Sequence, residues 1–439
     1  MVPFRKLVQL TEIVSAGMSQ NNRFHGEPQS PVLVCESCAS QHTLGELYRC
    51  PSCGGELTIQ YDYEAIRKTE IFKRTWRSPG SLWRRFASLL PTVEPNRIVT
   101  LGEGNTPLVE APALARRLGV SSVYLKLESC NPTGSFKDRQ VSLAISKAQE
   151  WGRSRFGTAS SGNVGVALSA YAAKAGCQAY VWVPSSTAEA KRLQIQVYGA
   201  RLFLTPPSTK ENSVLNHAIF TGMREFCVDL GMVPMISARP VNPYMVEGAK
   251  TLAFEVVAEL ECVPDRFFGP VGGGGLMGST WKGFRELFEL GLVDRLPRME
   301  GSQMSEGHVP IDRLNDPEFD PTLYFRPLDG NWAWQSIQES DGTLRQIDNE
   351  LIQIAQTDLA MSEGIFAEPQ GITAFAGLLQ AAQDGSLSSG DTVVCVVTGI
   401  GLKNMDAACK LVARQSGGEL PTHVKVLDDA MDEIRRARN

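Results

Sequence analysis

Lys137 lies in NPTGSFKDRQ (131–140), a glycine-bearing turn that runs into a helical pattern. Ser135 and Asp138 have capping-box spacing, so the helix is expected to begin at Phe136 with Lys137 in its first turn. The positive end of a helix disfavours an ammonium there and lowers the cost of a free amine. A free amine is what Schiff-base chemistry asks of a lysine; a solvated lysine at a helix junction is the plain alternative. Gly272, Gly273, Gly274 and Gly275 in PVGGGGLMGS (270–279) follow a strand-like run and precede a helical one. Successive backbone N–H groups without side chains can converge on a phosphate at a helix N-terminus. No Walker lysine or dinucleotide fingerprint accompanies them, and a flexible tight turn is the competing explanation. Ser160, Ser161, Gly162 and Asn163 offer hydroxyls, an amide and N–H donors to an anion such as a carboxylate, or else merely cap the helix that follows. Thr398 ends the apolar run DTVVCVVTG (391–399), where a parallel sheet opens its ligand crevice, or where a core strand simply turns.

A separate chemistry is carried by cysteines. Cys35-x2-Cys38 and Cys50-x2-Cys53 are separated by eleven residues, and two such knuckles can close a tetrahedral site of four thiolates. Gly54 and Gly55 suit the positive φ of the second knuckle. A reducing compartment argues against disulfides and the spacing argues against chance, so a structural zinc ribbon is expected, closed and without catalysis. Cys130, Cys177, Cys227, Cys262, Cys395 and Cys409 are scattered and read as packing residues.

The elements that must position these groups alternate. SSVYLKLE (121–128), QAYVWVP (178–184), DRFFGPVG (265–272) and DTVVCVVTG read as strands. VSLAISKAQEWG (141–152), VGVALSAYAAKAG (164–176), AKTLAFEVVAEL (249–260) and STWKGFRELFELG (279–291) read as helices. Such alternation implies parallel β-α-β units covered on both faces. The 439 residues are 43% hydrophobic and 21% charged with a net charge of −5, a globular balance long enough for two or three domains. That charge leaves no basic footprint, so no nucleic acid and no membrane is expected as partner. No apolar run approaches the ~20 residues of a membrane span. Lys6, Gln9 and Glu12 break the N-terminal apolar stretches, which makes a poor signal peptide. The expectation is a cytoplasmic, multidomain enzyme.

The combination resembles the fold-type II pyridoxal-phosphate enzymes, the tryptophan synthase β family, and within them the threonine synthases. The likeness runs through the ribbon, LGEGNTPLVE (101–110), LKLESCNPTGSFKDR (125–139), the Ser-Ser-Gly-Asn segment, VNPYMVEG (241–248), the tetraglycine, EGIFAEP (363–369) and TGIGLK (398–403). It implies that Lys137 is the Schiff-base lysine and that Gly272 to Gly275 with Leu276 form the loop for the cofactor phosphate. It further implies that Asn163 meets the cofactor's 3′-oxygen, that Thr398 faces its pyridine nitrogen, and that Ser160 to Asn163 hold the substrate carboxylate. Lys126 matches a family lysine and is expected to help bind substrate.

The likeness breaks in one place. Threonine synthases usually carry N-x-x-N-P-[FY]-R where this chain reads Arg239-Pro-Val-Asn242-Pro-Tyr-Met245, so both phosphate ligands of that motif have changed. Arg239 is expected to return the lost cation from another direction. Ile400 and Gln370-Gly371 are further departures. The implied reaction is conversion of O-phospho-L-homoserine and water to L-threonine and phosphate. The alternatives are β- or γ-replacement on another activated amino acid such as O-phosphoserine, as in cysteate synthase-like relatives, and lastly serine or threonine deamination.

The expected architecture is α/β, with two three-layer domains of parallel-rich sheets, pyridoxal phosphate in the cleft between them and a small zinc ribbon in front. A flexible arm (1–30), the ribbon (31–60) and a connector (61–100) would precede a large domain (101–140 and 251–415) and a small one (141–250), with a charged tail (416–439). The resemblance also implies a homodimer, while 301–345 carries weak matches and no assignment.

Overall fold

The computed structural model describes residues 30–69, 75–91, 93–207, 209, 212–306, 308–314, 316 and 325–415. Residues 1–29 of the expected arm and the whole tail 416–439 lie outside the described residues. Strands β1 (Val32–Cys35), β2 (Gln41–Thr43) and β3 (Leu57–Gln60) form an antiparallel sheet in the order β2-β1-β3. Leu33, Leu57 and Ile59 alternate inward from it onto the body of the protein.

Ten further strands follow: β4 (Leu108–Glu110), β5 (Ser122–Leu127), β6 (Arg155–Ala159), β7 (Gln178–Pro184), β8 (Arg201–Thr205), β9 (Val233–Pro234), β10 (Arg266–Pro270), β11 (Arg298–Met304), β12 (Leu344–Ile347) and β13 (Thr392–Val397). They build a six-stranded sheet in the order β12-β11-β10-β13-β5-β4 and a four-stranded sheet in the order β8-β7-β6-β9. All pairings are parallel except that of edge strand β4 with β5. The central position of β13 follows from its sequence. Val393 to Val397 are all fully buried, as a strand covered on both faces requires.

The helices that matter for the site are α1 (Lys137–Glu150), α2 (Asn163–Lys174), α3 (Glu189–Val197), α4 (Pro243–Ala249), α5 (Thr251–Leu260), α6 (Gly275–Glu289) and α7 (Thr373–Gln383). Helix α2 ends as its sequence suggests, just before Gly176 at φ +66°. Three expectations are corrected. The helix expected over 249–260 is α5, which begins slightly later at Thr251, and a separate α4 precedes it, capped by Asn242, which accepts the Tyr244 N–H at 3.1 Å. Helix α6 begins at Gly275 rather than Ser279, inside the tetraglycine. The capping box before α1 is not made: the Asp138 carboxylate turns back to accept from the N–H and hydroxyl of Thr133. The stretch 61–100 is more than a connector, since its Trp83 is buried and donates to Ser142 Oγ at 2.7 Å. Among the described residues no helix is long and apolar enough to cross a membrane.

Candidate active site

Four loops leave the carboxyl ends of their strands and meet. They follow β5, β6, β10 and β13, the edge at which open parallel sheets bind ligands. The turn before α1 and the Thr398 segment are tied directly: Phe136 N–H donates to Thr398 O (3.2 Å) and Ile400 N–H to Gly134 O (3.0 Å). Helix α1 is fixed from beneath by Arg139. Its guanidinium pairs with Glu128 at 2.7 Å and Glu255 at 2.6 Å, all fully buried. Gly248 lets α4 touch α1, since a Cβ there would stand 2.0 Å from Arg139 O.

Lys137 opens α1. Its amine donates to Ser237 Oγ (2.6 Å) and Gln140 Oε1 (3.1 Å) and lies 4.2 Å over the Phe136 ring. Burial lowers its pKa to about 7, against the opposing pull of the Asp329 carboxylate. A helix-end effect was expected to lower it; the cause found is desolvation. The tetraglycine faces Asp329, whose N–H donates to Gly273 O at 2.8 Å. Gly274 sits at φ +93°, and a Cβ on it would stand 2.3 Å from Asp329 O. Gly272 and Gly273 open onto free space, with nothing within 4 Å of an added Cβ. Leu276 is buried in the first turn of α6.

In the Ser-Gly-Asn segment, Ser160 Oγ accepts the Gly162 N–H (3.0 Å), Ser161 is exposed, and Asn163 starts α2. The Asn163 amide donates to Glu368 and accepts from Lys403 Nζ at 3.1 Å. Thr398 is buried just beyond β13, and its N–H donates to Gly371 O.

Two residues expected to bind substrate are committed elsewhere. Lys126 is fully buried, its ammonium held by Glu255 and Glu259 at 3.0 Å each and donating to Thr106 O at 2.7 Å. The Arg239 guanidinium is gripped by Glu36 and, at 2.8 Å, by Glu56, both from the ribbon, and stacks 4.5 Å over Trp332. An arginine already answered by two carboxylates is not open to an anion in this arrangement. Met245 is fully buried in apolar core, which suits a thioether and not the arginine of the usual motif.

Sequence reasoning missed Ser237, Gln140 and Asp329 around Lys137, and Lys191, Glu368 and Lys403 around Asn163. Glu368 and Lys403 stood inside the quoted EGIFAEP and TGIGLK segments without a role. Ser237 and Asp329 had no signal. Burial raises the Asp329 carboxyl to about 7 despite the Arg239 cation and the Arg239 N–H, which donates to its oxygens at 3.0 and 3.1 Å.

The chemistry of this cleft fits the cofactor that the resemblance implies. A half-buried amine of lowered basicity and a side-chain-free loop at a helix N-terminus share one neighbour, Asp329, which packs on the loop and acts on the amine. The Ser135 hydroxyl, the Gln140 amide nitrogen and the Ser279 hydroxyl are buried without a partner among the described residues. The ribbon likewise fits a zinc ion. The four Sγ atoms lie within 4.8 Å of one another, with Cys35 to Cys53 at 3.4 Å and Cys38 to Cys50 at 3.7 Å. A tetrahedral site with Zn–S of about 2.3 Å places its sulfurs about 3.8 Å apart.

Comparison with known proteins agrees with this chemistry. The model of a family of pyridoxal-phosphate dependent enzymes matches residues 99–399. A threonine synthase of Methanosarcina acetivorans is 36% identical over 422 residues, 92% of this chain and 98% of the relative. That of Methanocaldococcus jannaschii is 34% identical over 392 residues, 86% and 94%, and that of Synechocystis 37% over 363, 81% and 91%. Among solved structures, diaminopropionate ammonia lyase of Escherichia coli superposes with TM-score 0.59 at 15% identity, covering 75% of this chain and 95% of the other. Threonine deaminase isoform 2 of Solanum lycopersicum does so with TM-score 0.56 at 21% identity, covering 71% and 84%. These structures share the fold.

Proposed function

The chain belongs to the pyridoxal-phosphate-dependent enzymes, as a threonine synthase-like lyase of fold type II, and on that footing we propose that it converts O-phospho-L-homoserine and water to L-threonine and phosphate. The observation that carries this reading is Lys137, an amine brought to a pKa of about 7 by burial and linked through Asp329 to an open glycine loop, in a chain of which 92% is matched by one threonine synthase.

Bound pyridoxal phosphate would supply the electron sink next to the substrate's α-carbon. The Lys137 amine would hold it and, released by the substrate amino group, take the proton from Cα. Gly272 to Gly275 with Leu276 would cradle the cofactor phosphate. Asn163 would meet the 3′-oxygen and Thr398 the pyridine nitrogen, a neutral hydroxyl that does not enforce protonation there. Ser160 to Asn163 would hold the substrate carboxylate. The proposal includes a zinc ion on Cys35, Cys38, Cys50 and Cys53 as a structural tie, a large unit of 101–140 and 251–415 against a small unit of 141–250, and a homodimer.

A second reading is favoured by two observations: Met245 is core and Arg239 is answered by Glu36 and Glu56. In that reading the same scaffold performs β- or γ-replacement on another activated amino acid, such as O-phospho-L-serine. Offering the cofactor-loaded protein each phosphorylated substrate separately decides between them. Threonine appearing with one phosphate per molecule from phosphohomoserine is the expected result. Turnover of phosphoserine with none of phosphohomoserine would replace the first reading with the second.

A further inference from the structure

Four side chains form a continuous clasp beside the cleft, and the chemistry assigned above uses only one of them. Lys191 of α3 pairs with Glu368 Oε2 at 2.7 Å, Glu368 Oε1 accepts from Asn163 Nδ2, and Asn163 Oδ1 accepts from Lys403 Nζ at 3.1 Å. Lys191, Glu368 and Lys403 are only 5%, 2% and 4% exposed. Burying three charges carries a desolvation cost that a surface tie would avoid. The clasp is also built in tightly. A Cβ on Gly162 would stand 2.5 Å from Lys191 Cδ, one on Gly399 2.2 Å from Glu368 Oε1, and one on Gly134 3.2 Å from Lys403 Cε. Three loops thus carry glycine where these side chains pass.

The two neighbours of Asn163 are opposites. An ammonium can only donate and a carboxylate only accept, so the amide has one allowed orientation. Turned over, it would set NH2 against ammonium and oxygen against carboxylate. With Glu368 taking one Nδ2 hydrogen, the other keeps a fixed direction. Asn163 and Lys191 belong to the helices packed on the four-stranded sheet. Glu368 and Lys403 flank the end of β13 in the six-stranded one, so the clasp spans both sheets. The charged groups facing Lys403 are Glu368, Asp138 and Lys191, and burial lowers its own pKa to about 8 against the two carboxylates.

We propose that Glu368 and Lys403, with Lys191 holding Glu368, are positioning residues that fix the side-chain amide of Asn163 toward the cofactor. This rests on the reading of Asn163 as the partner of the cofactor's 3′-oxygen. It says nothing about which amino acid is the substrate, so its test needs none. The readout is the absorbance of the cofactor-loaded protein and the pH midpoint of its spectral change.

Asn163→Ala is expected to move that midpoint by about one unit, the scale of losing one hydrogen bond to a titrating oxygen. Lys403→Met and Glu368→Gln are expected to move it in the same direction by at least about half as much, and Lys403→Arg to restore it. The double variant Asn163→Ala/Lys403→Met is expected to move it no further than Asn163→Ala alone, because the lysine acts through the amide. Additive shifts, or unchanged midpoints in both Lys403→Met and Glu368→Gln while Asn163→Ala shifts, would overturn the positioning role alone. An unchanged midpoint in Asn163→Ala would instead overturn the reading of Asn163 beneath it. Glu368→Gln keeps the side chain's shape and carries the test if Lys403→Met does not fold.

Discussion

The amine of Lys137 is held at lowered basicity by where the chain buries it. An exposed lysine titrates near 10.4, whereas desolvation brings this one to about 7, with Asp329 opposing. The lowered value means that the neutral amine accumulates as pH rises through about 7 and is lost as it falls below. Uptake of cofactor by the unloaded protein, followed by absorbance, should therefore accelerate about tenfold between pH 6 and 8 and then level off. A rate still climbing toward pH 10 would mean an ordinary, solvated lysine. Lys137 was singled out by its turn and by the resemblance, but the cause of its lowered basicity was not legible. Asp329 and Ser237 lie about 190 and 100 residues away in sequence, and no local pattern marks them. Long-range side-chain neighbours of this kind are set by packing, which periodicity does not encode.

At the scale of elements, the apolar parallel strands were readable because both faces are covered and few polar residues interrupt them. Strand β11, Arg298–Met304, was not. Its Glu300, Ser302 and Gln303 are buried, and Glu300 is balanced by Arg266 at 2.5 Å and Arg345 at 2.7 Å. A core strand that buries its charge in a network carries no hydrophobic signal. The start of α6 was missed for a related reason, because glycine is a poor helix former and reads as loop. The glycine loop before it separates two roles. Gly274→Ala should cost about 1–3 kcal/mol of stability in the unloaded protein, since φ +93° and the Asp329 carbonyl both resist a Cβ. Gly272→Ala should leave that stability within about 0.5 kcal/mol, because it opens on free space. It should nevertheless weaken cofactor binding at least about tenfold, as a methyl group enters the proposed cradle. Thermal melts with a cofactor titration check both, and unchanged affinity in Gly272→Ala would remove that glycine from the cradle.

For the whole molecule, the ribbon is no appendage. Tyr61 of the segment after β3 donates to buried Glu247 at 2.9 Å, Tyr244 donates to Gly45 O at 2.7 Å, and Arg239 joins Glu36 and Glu56 to the segment that also carries Ser237. Trp332 is sandwiched between Arg239 and α6, where a Cβ on Gly278 would stand 2.3 Å from the indole. The four cysteines announced the ribbon, yet nothing in their spacing announced what it would seize. Arg239→Ala should therefore lower stability by about 1–2 kcal/mol, since the two glutamates are partly exposed and lose less than a fully buried pair would. Proteolysis within 30–60 should quicken, while the KM for a phosphorylated substrate changes no more than that for an unphosphorylated analogue. A selective rise for the phosphorylated substrate would return Arg239 to the role that its sequence position suggested. The architecture of two parallel sheets around one cleft was legible from strand and helix alternation; the wiring between ribbon and cleft was not, because it is made of single side chains from distant segments.

The most direct measurement is to reduce the cofactor-loaded protein with borohydride, digest it and locate the cofactor by mass spectrometry. The adduct is expected on Lys137, with none in Lys137→Ala. An adduct on Lys191, Lys403 or any other lysine of the chain would contradict that expectation.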